Sequence, residues 1–440
     1  MSNNISYNEL VIKFANVNGS GSASANTFCA KSLYRMGIPI SAKNVFPSNI
    51  QGLPTWYEIT VSESGKLARK EKIDVMIAMN AQTYKTDIEA VNVGGTFIYD
   101  NSIKRQFSRD DIRVIGIPIA RLCAQEYSDA RQRQLFKNIV YLGSLSLLIG
   151  IDLDVIEKLL SEQFKSKINL LEANFKALSI GRKYVQENIA YPLETQVRKC
   201  NKNVNKIMIN GNEAAALGAL NGGATVASWY PITPSTSLVE AFETHANNLR
   251  KTSTGELNVA VIQAEDELSA IGMAIGANWN GSRAFTATSG PGISLMGEFL
   301  GLAYFAEIPL VLFDIQRGGP STGMPTRTQQ SDLMTCAYAS HGDTKQILLL
   351  PSDPYECFEF GYKSFDLAEQ LQTPIMVLSD LDIGMNDWVV DELTWNEDYK
   401  HNRGKLINSD DIEKLREFAR YRDIDDDGIP YRTIPATNPE

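Results

Sequence analysis

Between residues 207 and 380, short apolar runs alternate with helical stretches, and most runs end in a loop of Gly, Pro, Ser and Thr. This alternation constrains the fold more than any other feature. The runs Ile207–Ile209, Val259–Gln263, Ala284–Thr288, Leu310–Phe313, Gln346–Leu350 and Ile375–Leu378 have strand length. The stretches Asp266–Trp279, Ser294–Phe305 and Asp353–Glu369 carry helical spacing. A strand end facing a helix start at each step predicts a doubly wound sheet, whose ligands lie beyond the carboxyl ends of the strands.

The first half repeats the logic less cleanly. The run Leu10–Val17 breaks at Asn18-Gly19-Ser20-Gly21, and a helix follows over Ala25–Met36. Further runs at Val75–Met79, Thr96–Tyr99 and Val114–Ile117, with a long helix over Asp129–Leu148, predict a second α/β unit with a mostly parallel sheet. The fold class expected is therefore α/β with two doubly wound domains. The domains run over 1–190 and 205–390, joined by a polar linker at 191–204. Residues 391–440 read as a polar extension leading to a further, missing C-terminal domain.

Charge supports the division and narrows the function. The net charge is −10, made of +6 over residues 1–200 and −16 over residues 201–440. Such a balance disfavours a nucleic-acid binder. The five cysteines, Cys29, Cys123, Cys200, Cys336 and Cys357, are scattered with no metal-ligand spacing. Reduced thiols in a cytoplasmic protein are expected. The N-terminus has no signal-peptide pattern, and no apolar run reaches membrane-spanning length, so no membrane partner is expected. The histidines His245, His341 and His401 stand apart, which disfavours a triad or metal centre. Asp425-Asp426-Asp427-Gly428 lacks the closing glutamate of a calcium loop and reads as a solvated turn.

Five segments could carry chemistry. The turn Gly19–Ser24 offers amides and hydroxyls at a helix start, fit for an anion or for a plain turn, but lacks the third glycine of a dinucleotide fingerprint. Tyr230-Pro231-Ile232-Thr233-Pro234-Ser235-Thr236-Ser237 holds hydroxyls near a helix N-terminus, as a substrate carboxylate would require or as a proline-stiffened cap would show. Gln263-Ala264-Glu265-Asp266-Glu267 places three acids before a helix of small residues. Some of these acids serve as caps, while Glu267 sits where burial would let it share a proton with a ring nitrogen. Thr286–Gly292 and Arg317–Thr326 are glycine-proline loops on the same sheet edge, and Arg317 adds a bidentate donor for a carboxylate.

These motifs, YPITPSTS, QAEDE, TATSGPG and QRGGPSTGMPT in this order, closely resemble the alpha subunit of 2-oxoacid:ferredoxin oxidoreductases of the 2-oxoglutarate type. The segments NGSGSASAN and FPSNIQGLPTWYEI resemble the gamma domain fused ahead of alpha in that form. The resemblance implies oxidative decarboxylation of a 2-oxoacid, with electrons passed to ferredoxin and the acyl group to coenzyme A. It makes residues 205–385 a thiamine diphosphate pyrimidine-binding domain. Glu267 is then the catalytic partner of the pyrimidine N1′, with Ser289 and Gly290 beside the cofactor. Thr233, Arg317 and Thr326 surround the substrate. A magnesium-diphosphate signature and cluster cysteines are absent from the chain. The resemblance therefore implies a beta subunit supplying the Mg2+ site and the iron–sulfur cluster, in a hetero-oligomer such as (alpha-beta)2. Two other readings remain: a non-catalytic scaffold, which needs neither Glu267 nor Arg317, and a nicotinamide-linked dehydrogenase, which the incomplete glycine fingerprint disfavours.

Overall fold

The computed structural model describes residues 5–47, 52–396, 398–414 and 418–435. The chain divides into one unit of Met1–Met208 with Asp387–Val389 and another of Ile209–Asn386 with Val390–Glu440.

The first unit is built on an eight-stranded sheet. Its order is Arg113–Ile117, Val91–Asp100, Ile73–Ala78, Glu9–Val17, Pro54–Ser62, Ile40–Val45, Asp387–Asp391, Lys206–Ile209. The first four strands are parallel, as expected. The sheet as a whole is mixed, because Pro54–Ser62 runs antiparallel to both Glu9–Val17 and Ile40–Val45. Those two strands escaped the sequence reading because polar side chains interrupt them. Glu58 is buried inside the sheet, where Lys13 Nζ meets it at 3.3 Å. By contrast Glu9–Val17 is covered on both faces. Leu10, Ile12 and Phe14 join one core, and Val11 and Ala15 join the other. That double burial is why it reads as a mostly apolar run, with Lys13 as an interruption.

The turn after that strand places Gly19 and Gly21 at φ 81° and 77°, in the left-handed region where glycine is at home. Asn138 Nδ2 donates to the Ser20 carbonyl at 3.0 Å, tying the turn to the helix Ala130–Ile149. Of the FPSNIQGLPTWYEI segment, Ser48–Gln51 lie outside the described residues. The stretch 191–204, expected as a linker, is stitched to this unit. Val197 N–H donates to the Ile149 carbonyl, and Cys200 N–H to that of Met36. The strand Lys206–Ile209, expected to open the second sheet, instead ends the first. Its four residues carry no signal for which sheet they join.

The second unit has a six-stranded, all-parallel sheet. Its order is Ala260–Gln263, Val226–Trp229, Ala284–Thr288, Leu310–Gln316, Pro374–Asp380, Ile347–Leu349. The helices Gly211–Asn221, Thr236–Leu249 and Pro354–Leu371 pack on one another, and Glu267–Trp279 packs with Gly290–Phe305. Val226–Trp229, which directly precedes the YPITPSTS motif, was missed because it is only four residues long. The chain goes from this strand out to Ala260–Gln263 and then back across to Ala284–Thr288. The loops after Val226–Trp229 and Ala284–Thr288 therefore flank a topological switch point.

Residues beyond Asp391 were expected to form an extension, yet their described part packs into this unit around one buried acid. Glu369 takes Arg283 at 2.6 Å, Arg403 at 2.7 Å and Arg432 at 3.0 Å. Arg283 also pairs with Asp366, which accepts from the Tyr399 hydroxyl. Two arginines and a tyrosine of this stretch are thus drawn into a buried ion network, while most of its described residues stay exposed. The end of the chain, 436–440, lies outside the described residues.

Candidate functional site

The three acids of QAEDE separate by environment. Asp266 is the N-cap of the helix Glu267–Trp279 and accepts from Ser269 N–H at 2.7 Å, which holds its carboxyl below the usual range. Glu265 is exposed. Glu267 is buried, and its carboxylate has no hydrogen-bond partner among the described residues. The glycines of TATSGPG make its space. A Cβ on Gly292 would stand 1.9 Å from Thr288 Oγ1 and 3.0 Å from Glu267 Cγ. Ser289, just ahead of the helix Gly290–Phe305, is fully buried with an unpartnered hydroxyl.

The hydroxyls of YPITPSTS are divided. Ser235 Oγ donates to the Ile232 carbonyl, and Ser237 Oγ accepts from Asn212 Nδ2 at 2.8 Å, so both hold their own loop. Thr233 sits against Arg317, whose Nη1 donates to the Thr233 carbonyl at 2.6 Å. Arg317 Nη2 donates to the Thr322 carbonyl at 3.1 Å, and its Nε is buried without a partner. Burial lowers the Arg317 pKa, and Asp332 and Glu267 raise it. Arg317 therefore ties the YPITPSTS loop to its own loop and keeps three of its five N–H donors, the Nε–H among them, outside these two bonds. Thr326 lies on the same loop and its hydroxyl accepts from Arg327 at 3.1 Å.

Arg317, Gly290, Ser294, Gly319, Ser331 and Asp332 contribute to the wall of a cavity of about 390 Å³. Thr233, Thr326, Glu267 and Ser289 lie outside its lining. Sequence reading missed Ser331 and Asp332, which stand beyond the glycine-proline motif and look like an ordinary helix start. It also missed Asp314, fully buried beneath this region beside Cys336 Sγ at 3.5 Å. Burial pushes the Asp314 carboxyl well above the carboxylate range.

The described residues hold no cluster of three or more His, Cys, Asp or Glu fit for a metal. The Asp425–Gly428 turn is exposed, as expected, and Lys405 Nζ pairs at its surface with Asp425 at 2.8 Å and Asp427 at 2.7 Å. No helix among the described residues is long and apolar enough to cross a membrane.

One surface beside Glu267 carries several large apolar side chains in the open. Leu268, Met273, Trp279, Leu295, Leu302 and Phe305 are all exposed on the helices Glu267–Trp279 and Gly290–Phe305. A Cβ on Gly276 or Gly297 would meet nothing within 4 Å, so these helices have room for a partner. Large exposed apolar side chains on two packed helices are the kind of feature that interaction sites use.

Comparison with known proteins bears on this geometry. Residues 217–403 match the family described as pyruvate flavodoxin/ferredoxin oxidoreductase, thiamine diP-binding, and residues 11–184 match pyruvate ferredoxin/flavodoxin oxidoreductase. The chain is 30% identical to 2-oxoacid:ferredoxin oxidoreductase 2, subunit alpha, of Aeropyrum pernix, over 94% of this chain and 71% of that protein. It is also 30% identical to 2-oxoglutarate oxidoreductase subunit KorA of Mycobacterium tuberculosis, over 90% of this chain and 64% of that protein. Among solved structures, a 2-oxoglutarate:ferredoxin oxidoreductase from Magnetococcus marinus with 2-oxoglutarate, coenzyme A and succinyl-CoA bound aligns with a TM-score of 0.85 at 29% identity. The alignment covers 97% of this chain and 72% of that one.

Proposed function

The chain belongs to the 2-oxoacid:ferredoxin oxidoreductase alpha subunits, and from that premise we propose that it binds the aminopyrimidine of thiamine diphosphate through Glu267 and takes 2-oxoglutarate as substrate. The observation that carries the reading is the contrast among three adjacent acids: Asp266 caps, Glu265 is solvated, and only Glu267 is buried with an unspent carboxylate. A buried carboxyl with no protein partner fits a ring nitrogen with which it shares a proton. Thiamine diphosphate, when bound, supplies the carbon nucleophile for the 2-oxo carbon. Ser289 and Gly290, at the start of the adjacent helix, would flank the cofactor.

Arg317 receives the substrate carboxylate, with Thr233 and Thr326 beside it. Its two terminal nitrogens are already oriented by backbone carbonyls, so little side-chain freedom is lost on binding. Arg317→Lys is expected to raise KM for 2-oxoglutarate about 10- to 150-fold, the equivalent of about 1.5–3 kcal/mol for a hydrogen bond to a charged group. Steady-state kinetics of the assembled enzyme measure it, and an unchanged KM contradicts the assignment.

The partner is a beta subunit, which brings the Mg2+ site and an iron–sulfur cluster, and ferredoxin and coenzyme A are the other reactants. The exposed apolar face of Glu267–Trp279 and Gly290–Phe305 is where that subunit docks, because the half-built cofactor site opens beside it. Gly276→Trp tests this directly. The new side chain points into open space in the free chain, so its denaturation curve is expected to stay within about 1 kcal/mol of wild type. Assembly with the beta subunit weakens by about 1–3 kcal/mol of overpacking. Equal affinity by titration calorimetry would move the interface elsewhere.

A further inference from the structure

The loop bearing Arg317 leaves the end of the strand Leu310–Gln316 and returns to it through four consecutive polar residues, each held by a different partner. Gln329 Oε1 accepts from Gly319 N–H at 3.3 Å, closing the loop on itself. Gln330 Nε2 donates to Asp380 Oδ2 at 2.9 Å, at the end of the neighbouring strand. Ser331 Oγ donates to the Arg317 carbonyl at 3.1 Å and lies 3.2 Å from Asp332 Oδ1. Asp332 N–H donates to Gln316 Oε1 at 3.0 Å, and Gln316 Nε2 donates onward to the Ser379 carbonyl at 3.2 Å.

The Asp332 carboxylate completes the closure. It lies flat on Gly290, so close that a Cβ there would come within 2.6 Å of Oδ1. It is partly buried in the same cavity wall as Arg317; burial pushes its carboxyl above the usual range, and the Ser331 hydroxyl, the guanidinium and the Gly290 N–H work against that rise. The carboxylate thus occupies the position at the N-terminus of Gly290–Phe305 where an anionic ligand would gain most from the helix. A second anion entering the cavity is left with the guanidinium.

We infer that Asp332 is a positioning residue for the substrate site: seated on Gly290 and backed by Gln316 and Ser331, it fixes the return of the 317–328 loop and with it the orientation of Arg317 toward the 2-oxoacid carboxylate. The inference rests on Arg317 as the carboxylate clamp. Gly290, read from the sequence as a cofactor contact, gains a second reason to be glycine, since any side chain there would displace Asp332.

Two readouts separate this role from a general structural one. In Asp332→Ala, hydrogen–deuterium exchange of the 317–328 segment of the full-length chain accelerates. KM of the assembled enzyme for 2-oxoglutarate rises at least about tenfold, with kcat within about threefold, as loss of ground-state binding requires. Asp332→Asn keeps the shape seated on Gly290 and an oxygen for the Ser331 hydroxyl, and restores slow exchange and a KM within about threefold of wild type. If Asp332→Ala does not fold, Ser331→Ala, which loses only the hydroxyl on the Arg317 carbonyl, supplies the same pair of measurements. Unchanged loop exchange overturns the positioning role whatever the kinetics. Faster exchange with an unchanged KM removes Arg317 from the substrate site, and the positioning role falls with it. A fall in kcat at constant KM overturns it as well, by placing Asp332 in the chemistry.

Discussion

In the assembled enzyme, Glu267→Gln turns over 2-oxoglutarate at least about a hundredfold more slowly than wild type, while Glu265→Gln is nearly silent. The substitution keeps the volume of the side chain and a donor, and removes only the exchangeable proton. Positioned proton transfer contributes roughly 10²–10⁴ in rate. A role limited to the helix dipole would cost only about 0.3–1 kcal/mol of stability and leave turnover alone. The two acids are two residues apart, yet Glu265 is exposed and Glu267 is buried beside Gly292. Steady-state turnover of both variants, each checked for assembly and cofactor binding, decides between the roles. Equal effects of the two substitutions would place the catalytic acid elsewhere.

The largest stability effect is expected at Glu369→Ala. Glu369, Arg283 and Arg432 are each less than 5% exposed, and the acid is the common partner of Arg283, Arg403 and Arg432. Breaking a buried pair by removing one partner leaves charge uncompensated, at a cost of about 3–5 kcal/mol. Asp366 still faces Arg283, but Arg403 and Arg432 lose their contact with the Glu369 carboxylate. Residues around Arg403 and Arg432 should therefore show faster hydrogen exchange than the strand Leu310–Gln316, and the urea midpoint should fall. A loss under about 1 kcal/mol would mean that water reaches the arginines and that the network is effectively a surface one.

The parts of this fold legible in the sequence were those where one physical cause acts alone. Glu9–Val17 and Leu310–Gln316 are apolar because both faces are covered, and their loops are marked by Gly and Pro. Ile40–Val45 and Pro54–Ser62 were hidden because Ser41, Lys43 and Asn44 in the one and Glu58 in the other break the apolar pattern. The residues after Asp391 looked solvated because composition does not distinguish an arginine in water from one on Glu369. At the candidate site the motifs pointed to Glu267, Thr233 and Arg317, since each carries chemistry at a strand end. Ser331 and Asp332 escaped because their work lies in contacts to Arg317, Gln316 and Gly290, which no local pattern records. The hydroxyls of Ser235 and Ser237 drew notice for the opposite reason: they are the right type in the right place, but their own loop uses them.

Glu267 of this chain is proposed to activate thiamine diphosphate held together with a partner subunit. The rate at which the C2 proton of the bound cofactor exchanges with deuterium tests it most directly, before any substrate is added. The exchange is predicted to slow at least about a hundredfold in the complex carrying Glu267→Gln and to keep its wild-type rate with Glu265→Gln. Wild-type exchange in the Glu267→Gln complex, with cofactor demonstrably bound, would contradict it.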